Sequence, residues 1–317
     1  GGGGAIQVPR AKKPPKRISR ANEARQGTTT LHGHSKPVEG VSWSPNGGKL
    51  ATASSDGTAR LWDASNGALL FKLEGHKDEV RGCSLSDTRA LTAGQDGLAM
   101  LWDLKTGELL HTLRDHTGGL SGCALSPCGD FAATAGRDGS TKVWEAQTGL
   151  LLKTLEGHQH IVKCCAWSPD GTQIVTASFD RTARVWDAYT GELKATLRGH
   201  SAGIYGCAFS SDGLRVATAS GDKTARLWRA DTGELEQTLS GHTHAVSSID
   251  FSSDGDLLAT AGWDRTVRLW DAETGAHFKT LEGTPGYVRC VAFSPDGFQI
   301  ATAGDDKVAR VWEVTLS

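Results

Sequence analysis

The chain has 317 residues, of which 38% are hydrophobic and 22% are charged, and its net charge is −2. It contains no run of about 20 apolar residues, the length that a transmembrane helix needs. Ten Trp and eight Phe supply enough apolar area for a core and exclude a wholly disordered chain, and 40 Gly indicate many turns.

Residues 1–27 differ in charge from the rest of the chain. Seven Lys and Arg accompany a single acid, Glu23, so this segment carries +6 and the remaining residues carry −8. The segment has Gly and Pro but no apolar region of a secretory signal and no apolar stripe of a membrane helix, so we expect a flexible arm. A cluster of basic residues in a short segment is typical of a nuclear import signal or of a patch that binds nucleic acid or an acidic surface. A solvated tail is the alternative. Its basic residues include Lys12, Lys13, Lys16, Arg17 and Arg20.

From residue 28 onward the sequence repeats itself about every 42 residues. Gly-His occurs at 33–34, 75–76, 157–158, 199–200 and 241–242, with Asp115-His116 and Gly283-Thr284 in register. A Trp follows in every repeat, at Trp62, Trp102, Trp144, Trp186, Trp228, Trp270 and Trp312. A period of this length indicates a repeat architecture, and within residues 28–317 it leaves no room for a second globular domain.

Each repeat predicts four short strands separated by turn residues. In the fourth repeat the predicted strands are 161–167, 173–178, 182–186 and 193–197, and Asp170-Gly171 marks the first turn. These lengths fit the usual strand of about five or six residues, and no segment has the apolar spacing of a helix.

Gly-His followed by Trp-Asp at this period resembles the WD40-repeat β-propellers over the whole chain after residue 27. Trp-Asp is literal in four repeats and becomes Trp-Glu or Trp-Arg in the other three. The resemblance implies an all-β, seven-bladed propeller in residues 28–317. The seventh repeat ends without its fourth strand, whereas residues 28–34 copy that strand. We therefore expect the N-terminal strand to complete the last blade and close the ring.

A His, a Thr, an Asp and a Trp recur together, as His34, Thr52, Asp56 and Trp62 in the first repeat. A hydroxyl, an imidazole and a carboxylate are also the groups of a nucleophilic triad, but a catalytic site occurs once and this set is complete in six repeats. The resemblance implies a buried structural hydrogen-bond network. The seventh repeat has Thr284 in place of the His, so its blade is expected to be the loosest.

Four cysteines occupy one place in successive repeats: Cys83, Cys123, Cys165 and Cys207. At one level around a channel they would resemble a soft-metal site, but the paired spacings of zinc ligands are absent and free Cys usually packs as a small apolar residue. We expect reduced thiols and neither a metal nor a cofactor. The chain also lacks a Gly-rich phosphate loop and an isolated acid pair, so we expect no enzyme activity.

Two sets of positions vary between repeats, and in related WD40 propellers they surround the channel mouth on the narrower face, where peptides dock. One precedes the repeated Asp, and the other lies near the start of the inner strand. The residues predicted to bind a partner are Phe179, Trp263, Tyr205, Arg81, Arg137, Lys163, Arg289 and Tyr287. Aromatic residues with Arg are typical of interface hot spots, although a scattered, solvated rim is the alternative. The mixture favours a peptide with acidic and apolar residues over a methylated or free Arg tail.

These observations predict a non-catalytic scaffold or adaptor subunit of a larger intracellular assembly, in the cytoplasm or the nucleus. The partner would be another protein or a peptide segment, with no membrane and no small-molecule substrate. The alternative is a subunit associated with nucleic acid or the cytoskeleton through the basic arm, since highly regular repeats also resemble the WD-repeat proteins of centrioles and cilia. An enzyme on a propeller scaffold is disfavoured because no set of polar residues departs from the repeat pattern, as a single catalytic site would.

Overall fold

The computed structural model describes residues 28–314, so the predicted basic arm at 1–27 lies outside the described residues. The described residues form 28 strands in seven four-stranded antiparallel sheets, the blades. Blade 1 contains β2 (Val38–Trp43), β3 (Lys49–Ser54), β4 (Thr58–Asp63) and β5 (Leu69–Glu74). Blade 2 contains β6 (Val80–Leu85), β7 (Arg89–Gly94), β8 (Leu98–Asp103) and β9 (Leu109–Arg114). Blade 3 contains β10 (Leu120–Leu125), β11 (Phe131–Gly136), β12 (Thr141–Glu145) and β13 (Leu151–Leu155).

The remaining blades follow the same order along the chain. Blade 4 contains β14 (Val162–Trp167), β15 (Gln173–Ser178), β16 (Thr182–Asp187) and β17 (Leu193–Arg198). Blade 5 contains β18 (Ile204–Phe209), β19 (Arg215–Ser220), β20 (Thr224–Arg229) and β21 (Leu235–Ser240). Blade 6 contains β22 (Val246–Phe251), β23 (Leu257–Gly262), β24 (Val267–Asp271) and β25 (His277–Leu281). Blade 7 contains β26 (Val288–Phe293), β27 (Gln299–Gly304), β28 (Ala309–Glu313) and β1 (Thr29–Leu31). The strands predicted for the fourth repeat agree with β14–β17 to within one residue.

The core lies between neighbouring blades. The first strands of the blades contact one another around a central channel. The second strands are buried along almost their whole length. In β3, with the sequence Lys-Leu-Ala-Thr-Ala-Ser, every residue after the Lys is buried. The small side chains of these strands allow two neighbouring sheets to approach closely. The outer strands are largely exposed, and Leu109, Leu193 and Leu235 are each exposed by about 45% at the outer edge. Each blade therefore depends on its two neighbours for burial.

The N-terminal strand closes the ring, which confirms the predicted fold class and closure. Strand β1 pairs with β28, and Leu31, opposite Ala309, is only 3% exposed. At the inner end of the same seam, the indole Nε1–H of Trp43 in blade 1 donates to the carbonyl of Ala292 in blade 7, at 3.2 Å. The first and last repeats are thus joined by an antiparallel strand pair at the outside and by a hydrogen bond near the channel.

The hairpin between the second and third strands uses two kinds of residue. In blades 1–3 a Gly takes the left-handed conformation, as at Gly57 with φ of 85°. In blades 4–7 the same place holds Arg181, Lys223, Arg265 or Lys307, with φ between 69° and 72°. A side chain in this region costs roughly 1–2 kcal/mol, so four turns carry strain that the Asp-Gly pairs of the early repeats avoid.

Candidate partner-binding surface at the channel mouth

A β-bulge in every first strand places one residue at the mouth of the channel. The pairing of first and second strands skips a single residue in each blade. The skipped residues are Glu39, Arg81, Ser121, Lys163, Tyr205, Ser247 and Arg289. Bulges redirect side chains out of a ladder, which explains why this position varies while its neighbours keep the repeat pattern.

The residue before each repeated Asp is fixed beside the bulge by its backbone. The N–H of Phe179 donates to the carbonyl of Ile161 at 3.0 Å, and that of Trp263 donates to the carbonyl of Ala245 at 2.9 Å. The same bond recurs in all seven blades. We use the term mouth surface for the bulge residues together with these neighbours: Ser55, Gln95, Arg137, Phe179, Gly221, Trp263 and Asp305.

Five aromatic side chains of the mouth surface and its border form one continuous series across blades 4 to 7, which we call the aromatic run. The ring centroids are 5.9 Å apart for His160 and Phe179, 5.1 Å for Phe179 and Tyr205, 5.3 Å for Tyr205 and Trp263, and 5.9 Å for Trp263 and Tyr287. These distances fit favourable aromatic pairs. The predicted aromatic residues are therefore contiguous, and the scattered alternative does not describe them.

Two glycines give the rings of the aromatic run their space. A Cβ on Gly203 would lie 3.0 Å from Cδ1 of Phe179, and a Cβ on Gly221 would lie 3.1 Å from Cε2 of Tyr205. Gly221 is itself the residue before the Asp of blade 5. Its missing side chain is what allows Tyr205 to reach between Phe179 and Trp263.

The predicted cations of the mouth surface fall into two groups. Arg81 contacts Glu39 at 3.2 Å and also pairs with Glu79, while Arg289 contacts Glu39 at 3.4 Å and also pairs with Asp305. The Glu39 side chain is only 5% exposed. The sequence prediction treated both arginines as available to a partner, whereas the structure shows them neutralised by acids of the same surface.

Lys163 and Arg137 form the second group. Neither side chain makes a hydrogen bond or an ion pair within residues 28–314. Burial lowers the pKa of Lys163 below its usual value; Glu39 opposes this shift, and Arg81 and Arg289 add to it. Lys163 is partly buried and Arg137 is exposed, on adjacent blades next to the aromatic run.

The repeated His, Thr, Asp and Trp form a hydrogen-bonded chain in six blades. In blade 1 the Trp62 indole donates to the Thr52 hydroxyl at 2.9 Å, Thr52 lies 2.8 Å from Nε2 of His34, and Nδ1 of His34 lies 2.8 Å from Asp56. Burial would raise the pKa of Asp56, but hydrogen bonds from Thr58 and His34 outweigh it and lower the pKa to about 2. Burial also lowers the pKa of His34. A neutral imidazole held between a hydroxyl and a carboxylate, buried and repeated around the ring, stabilises the blades.

Blade 7 departs from this network at two residues. Thr284 replaces the His, and Pro285 follows it, where the other blades have a residue whose backbone N–H donates to the Asp, such as Ser35 to Asp56 at 3.1 Å. Asp306 is instead 2.5 Å from the guanidinium of Arg310. Oδ2 of Asp306 is nevertheless buried without a hydrogen bond among the described residues, so the ion pair substitutes for the missing donors only in part.

The channel below the mouth has a volume of about 370 Å³ and is lined by residues of the first strands, among them Cys83, Cys123 and Cys207. The Cys123 and Cys207 thiols lie 3.6 Å and 3.8 Å from backbone carbonyls of the preceding blade. Burial raises the pKa of both thiols, which makes them poor metal ligands at neutral pH. Within residues 28–314 no three His, Cys, Asp or Glu side chains converge as a metal site.

Three features of the structure go beyond the sequence prediction. His160 extends the aromatic run, although it belongs to neither variable set. Glu39 lies between the two arginines, and Pro285 removes a donor from blade 7. Glu39 could have been noticed from the sequence, because it occupies the same repeat position as Arg81 and Arg289 with the opposite charge.

Comparisons with known proteins follow the repeat pattern. The family model described as "WD domain, G-beta repeat" (WD40) matches residues 25–63, 67–103, 107–145, 149–187, 191–229, 233–271 and 275–313. Among curated relatives, human WD repeat-containing protein 86 is 44% identical over 54 residues, which are 16% of this chain and 14% of that protein. Ribosome assembly protein 4 of Chaetomium thermophilum is 36% identical over 73 residues, 23% of this chain and 14% of that protein. WD repeat-containing protein VIP3 of Arabidopsis thaliana is 47% identical over 58 residues, 18% of each chain.

Each of these alignments spans less than a fifth of the relative's length. The similarity is therefore limited to the sequence of one or two repeats. In residues 28–314 no helix has the length and hydropathy that crossing a bilayer requires. Each matched segment contains the outer strand of one blade and the first three strands of the next, and the His-Thr-Asp-Trp chain is present in six of the seven segments. The chain belongs to the WD40 repeat family.

Proposed function

We propose that this protein is a non-catalytic scaffold or adaptor that holds a segment of another protein on the mouth surface. The observation that carries the proposal is the contiguity of the aromatic run, with ring centroids 5.1–5.9 Å apart across four blades. Single exposed aromatics are ordinary, but a contiguous group of half-buried and exposed aromatic rings is typical of an interaction site. Tyr287, at the end of the run, is 42% exposed.

Two further observations support this role. One relative is named as a ribosome assembly protein, which agrees with work inside a larger complex. All seven cysteines lie within residues 28–314 and none forms a disulfide, which supports action in a reducing compartment, the cytoplasm or the nucleus.

Co-purification from the native cell tests the proposal with a double variant, Phe179→Ala with Trp263→Ala. We expect the tagged full chain to lose its specific partners, because truncating aromatic hot-spot residues typically costs 2 kcal/mol or more of binding, on the order of a 30-fold loss of affinity. The matched control is Leu109→Ala with Leu193→Ala, which removes apolar area from the outer strands. Tyr287→Ala serves as a milder variant if the double variant melts early. Unchanged partners in a folded mouth variant would refute the proposal.

The charge of residues 1–27 favours a second candidate, a subunit anchored to nucleic acid or another acidic surface by the arm. Its +6 charge would release counterions from a polyanion, so the affinity would fall steeply with salt. Titrating a labelled duplex against the full chain and against a variant without residues 1–27, at 50 and 200 mM salt, tests this candidate. Equal affinities for the two proteins would rule out the arm as an anchor.

A further inference from the structure

The mouth surface has an uneven distribution of available charge. Arg81 and Arg289 are both engaged by Glu39, and each has a second acid, Glu79 or Asp305. The hydroxyl of Ser55 also donates to Glu39 at 2.7 Å. A docked segment therefore meets a cluster of ion pairs on blades 7, 1 and 2 in which three carboxylates already surround the two arginines, so neither arginine is available to an acid of the segment.

Lys163 differs from these arginines because its ammonium group has no partner in residues 28–314. Lys163 is partly buried, and this burial lowers the pKa of its ammonium group. A carboxylate brought to the mouth would pair with the ammonium group and offset that cost. Arg137, exposed on the adjacent blade, adds a second unpaired positive charge on the same side.

Lys163 and the aromatic run share blade 4, because Lys163 is the bulge residue of β14 and Phe179 directly follows β15. Lys163 and Phe179 belong to the same blade, and Tyr205, Trp263 and Tyr287 follow on blades 5, 6 and 7. The rings contact one another edge to face or, for Trp263 and Tyr287, with planes 18° apart. Rings this close leave no gap for an ammonium group between them, so the run offers a continuous apolar surface and not a cage.

We propose that the mouth surface recognises a linear acidic–apolar segment, in which Asp or Glu adjoins aromatic or aliphatic residues. A carboxylate of the segment pairs with Lys163, and the apolar side chains lie on Trp263 and Tyr287. This inference rests on the proposed function and narrows it to one class of partner. A phosphorylated segment fits less well, because phosphate is typically held by clustered arginines, and of the three arginines at the mouth Arg81 and Arg289 are already paired.

A displayed library of random ten-residue peptides, selected on the full chain, tests the inference. The library should contain acidic, neutral and basic sequences in equal numbers. We expect enrichment of peptides with an Asp or Glu within a few residues of Phe, Trp, Leu or Ile. Replacing the acid of an enriched peptide by its amide should weaken binding about tenfold or more, the range for losing a partly buried charge pair; a phosphoserine in its place should bind no better than the acid.

Lys163→Met removes the charge and keeps the length of the side chain. We expect this variant to bind the acidic peptide and its amide counterpart with nearly equal affinity, whereas Trp263→Ala weakens both. Lys105→Met, which alters an exposed lysine in the turn after β8, is the matched control and should leave the acidic peptide bound as before.

The outcomes separate the inference from the proposed function. Enrichment of neutral, basic or phosphate-dependent peptides that lose binding in the Phe179→Ala, Trp263→Ala variant would overturn the inference and leave the mouth surface as the docking site. Enriched peptides that bind this double variant as well as they bind the unaltered protein would overturn both. A selection without any enrichment would also count against both.

Discussion

At the residue scale, Asp250 introduces a carboxylate where the other blades have a small side chain in the channel wall. Its oxygens accept the backbone N–H groups of Phe293 at 2.8 Å and of Phe251 at 3.0 Å. Ser84 occupies the equivalent place in blade 2, and its hydroxyl accepts the N–H of Leu125 at 3.0 Å. A neutral hydroxyl can therefore accept the hydrogen bond from the next blade that the carboxylate of Asp250 accepts in blade 6.

We predict that Asp250→Ser stabilises the protein at pH 8 and has little effect near pH 4. Burial raises the pKa of Asp250 to about 7 against the two hydrogen bonds, while the unfolded value is about 3.9. The folded state thus binds the extra proton between these values, and the contribution of Asp250 to stability declines as the pH rises through that window. The gain at pH 8 should be about 1–2 kcal/mol.

Urea unfolding of both proteins at pH 4.5 and pH 8 measures this difference. Comparing the variant with the unaltered protein at each pH removes the contribution of the other titrating groups. A variant that is less stable at pH 8, or a difference that does not change with pH, would contradict the raised pKa of this partly buried carboxyl group.

At the scale of the element, blade 7 is the one whose hydrogen-bond network is incomplete within residues 28–314. It lacks both the imidazole and the backbone N–H that hold the Asp in blade 1, since Thr284 and Pro285 occupy those places. The indole of Trp312 still donates to Thr302 at 2.8 Å. Blade 7 therefore keeps the hydrogen bond between the Trp and the Thr, and the Asp306–Arg310 ion pair takes the place of the bonds to the Asp.

Thr284→His combined with Pro285→Ser should stabilise the protein by about 1–2 kcal/mol, the scale of one or two buried hydrogen bonds. The rise should appear in the midpoint of thermal unfolding. Pro285→Ser alone is the control, because it restores the N–H without the imidazole. If the control gives the whole gain, or the double variant gives none, the network does not limit the stability of blade 7.

The sequence predicts the elements of this protein well because their determinants are local. Turn residues and alternating apolar residues lie within a few positions of the strands that they delimit, and the 42-residue period repeats the information seven times. The site is less predictable because its properties arise between blades. Whether the guanidinium of Arg289 is available to a partner depends on Glu39, which lies 250 positions away in the sequence. The contact of Tyr205 with Trp263 depends on the absence of a side chain at Gly221, the residue before the repeated Asp of blade 5.

At the scale of the whole molecule, the ring depends on a closing strand of only three residues. Strand β1 forms three pairs with β28, and Leu31 packs with Val38, Trp62, Ala303 and Ala309 between blades 1 and 7. Without it, the edge of β28 and the apolar seam would be exposed. The closure therefore links the stability of the two terminal blades.

Deleting residues 28–34 should lower the melting temperature sharply, but this deletion also removes His34. Leu31→Asp tests closure alone, because it places a charge at a position that is 3% exposed; we expect a loss of about 3 kcal/mol or more. Thr29→Asp, at an exposed position of the same strand, is the control. An unchanged melt of Leu31→Asp in differential scanning calorimetry would contradict the closure of the ring by β1.

The central claim is that a partner occupies the mouth surface, and side-chain footprinting of the full chain with its co-purified partner tests it most directly. Hydroxyl-radical labelling followed by mass spectrometry should show protection of Phe179, Tyr205, Trp263 and Tyr287 in the complex. Leu109, Leu193 and Leu235 of the outer strands should be labelled equally in the free and bound protein. Protection of the outer leucines with unprotected mouth aromatics would contradict the account.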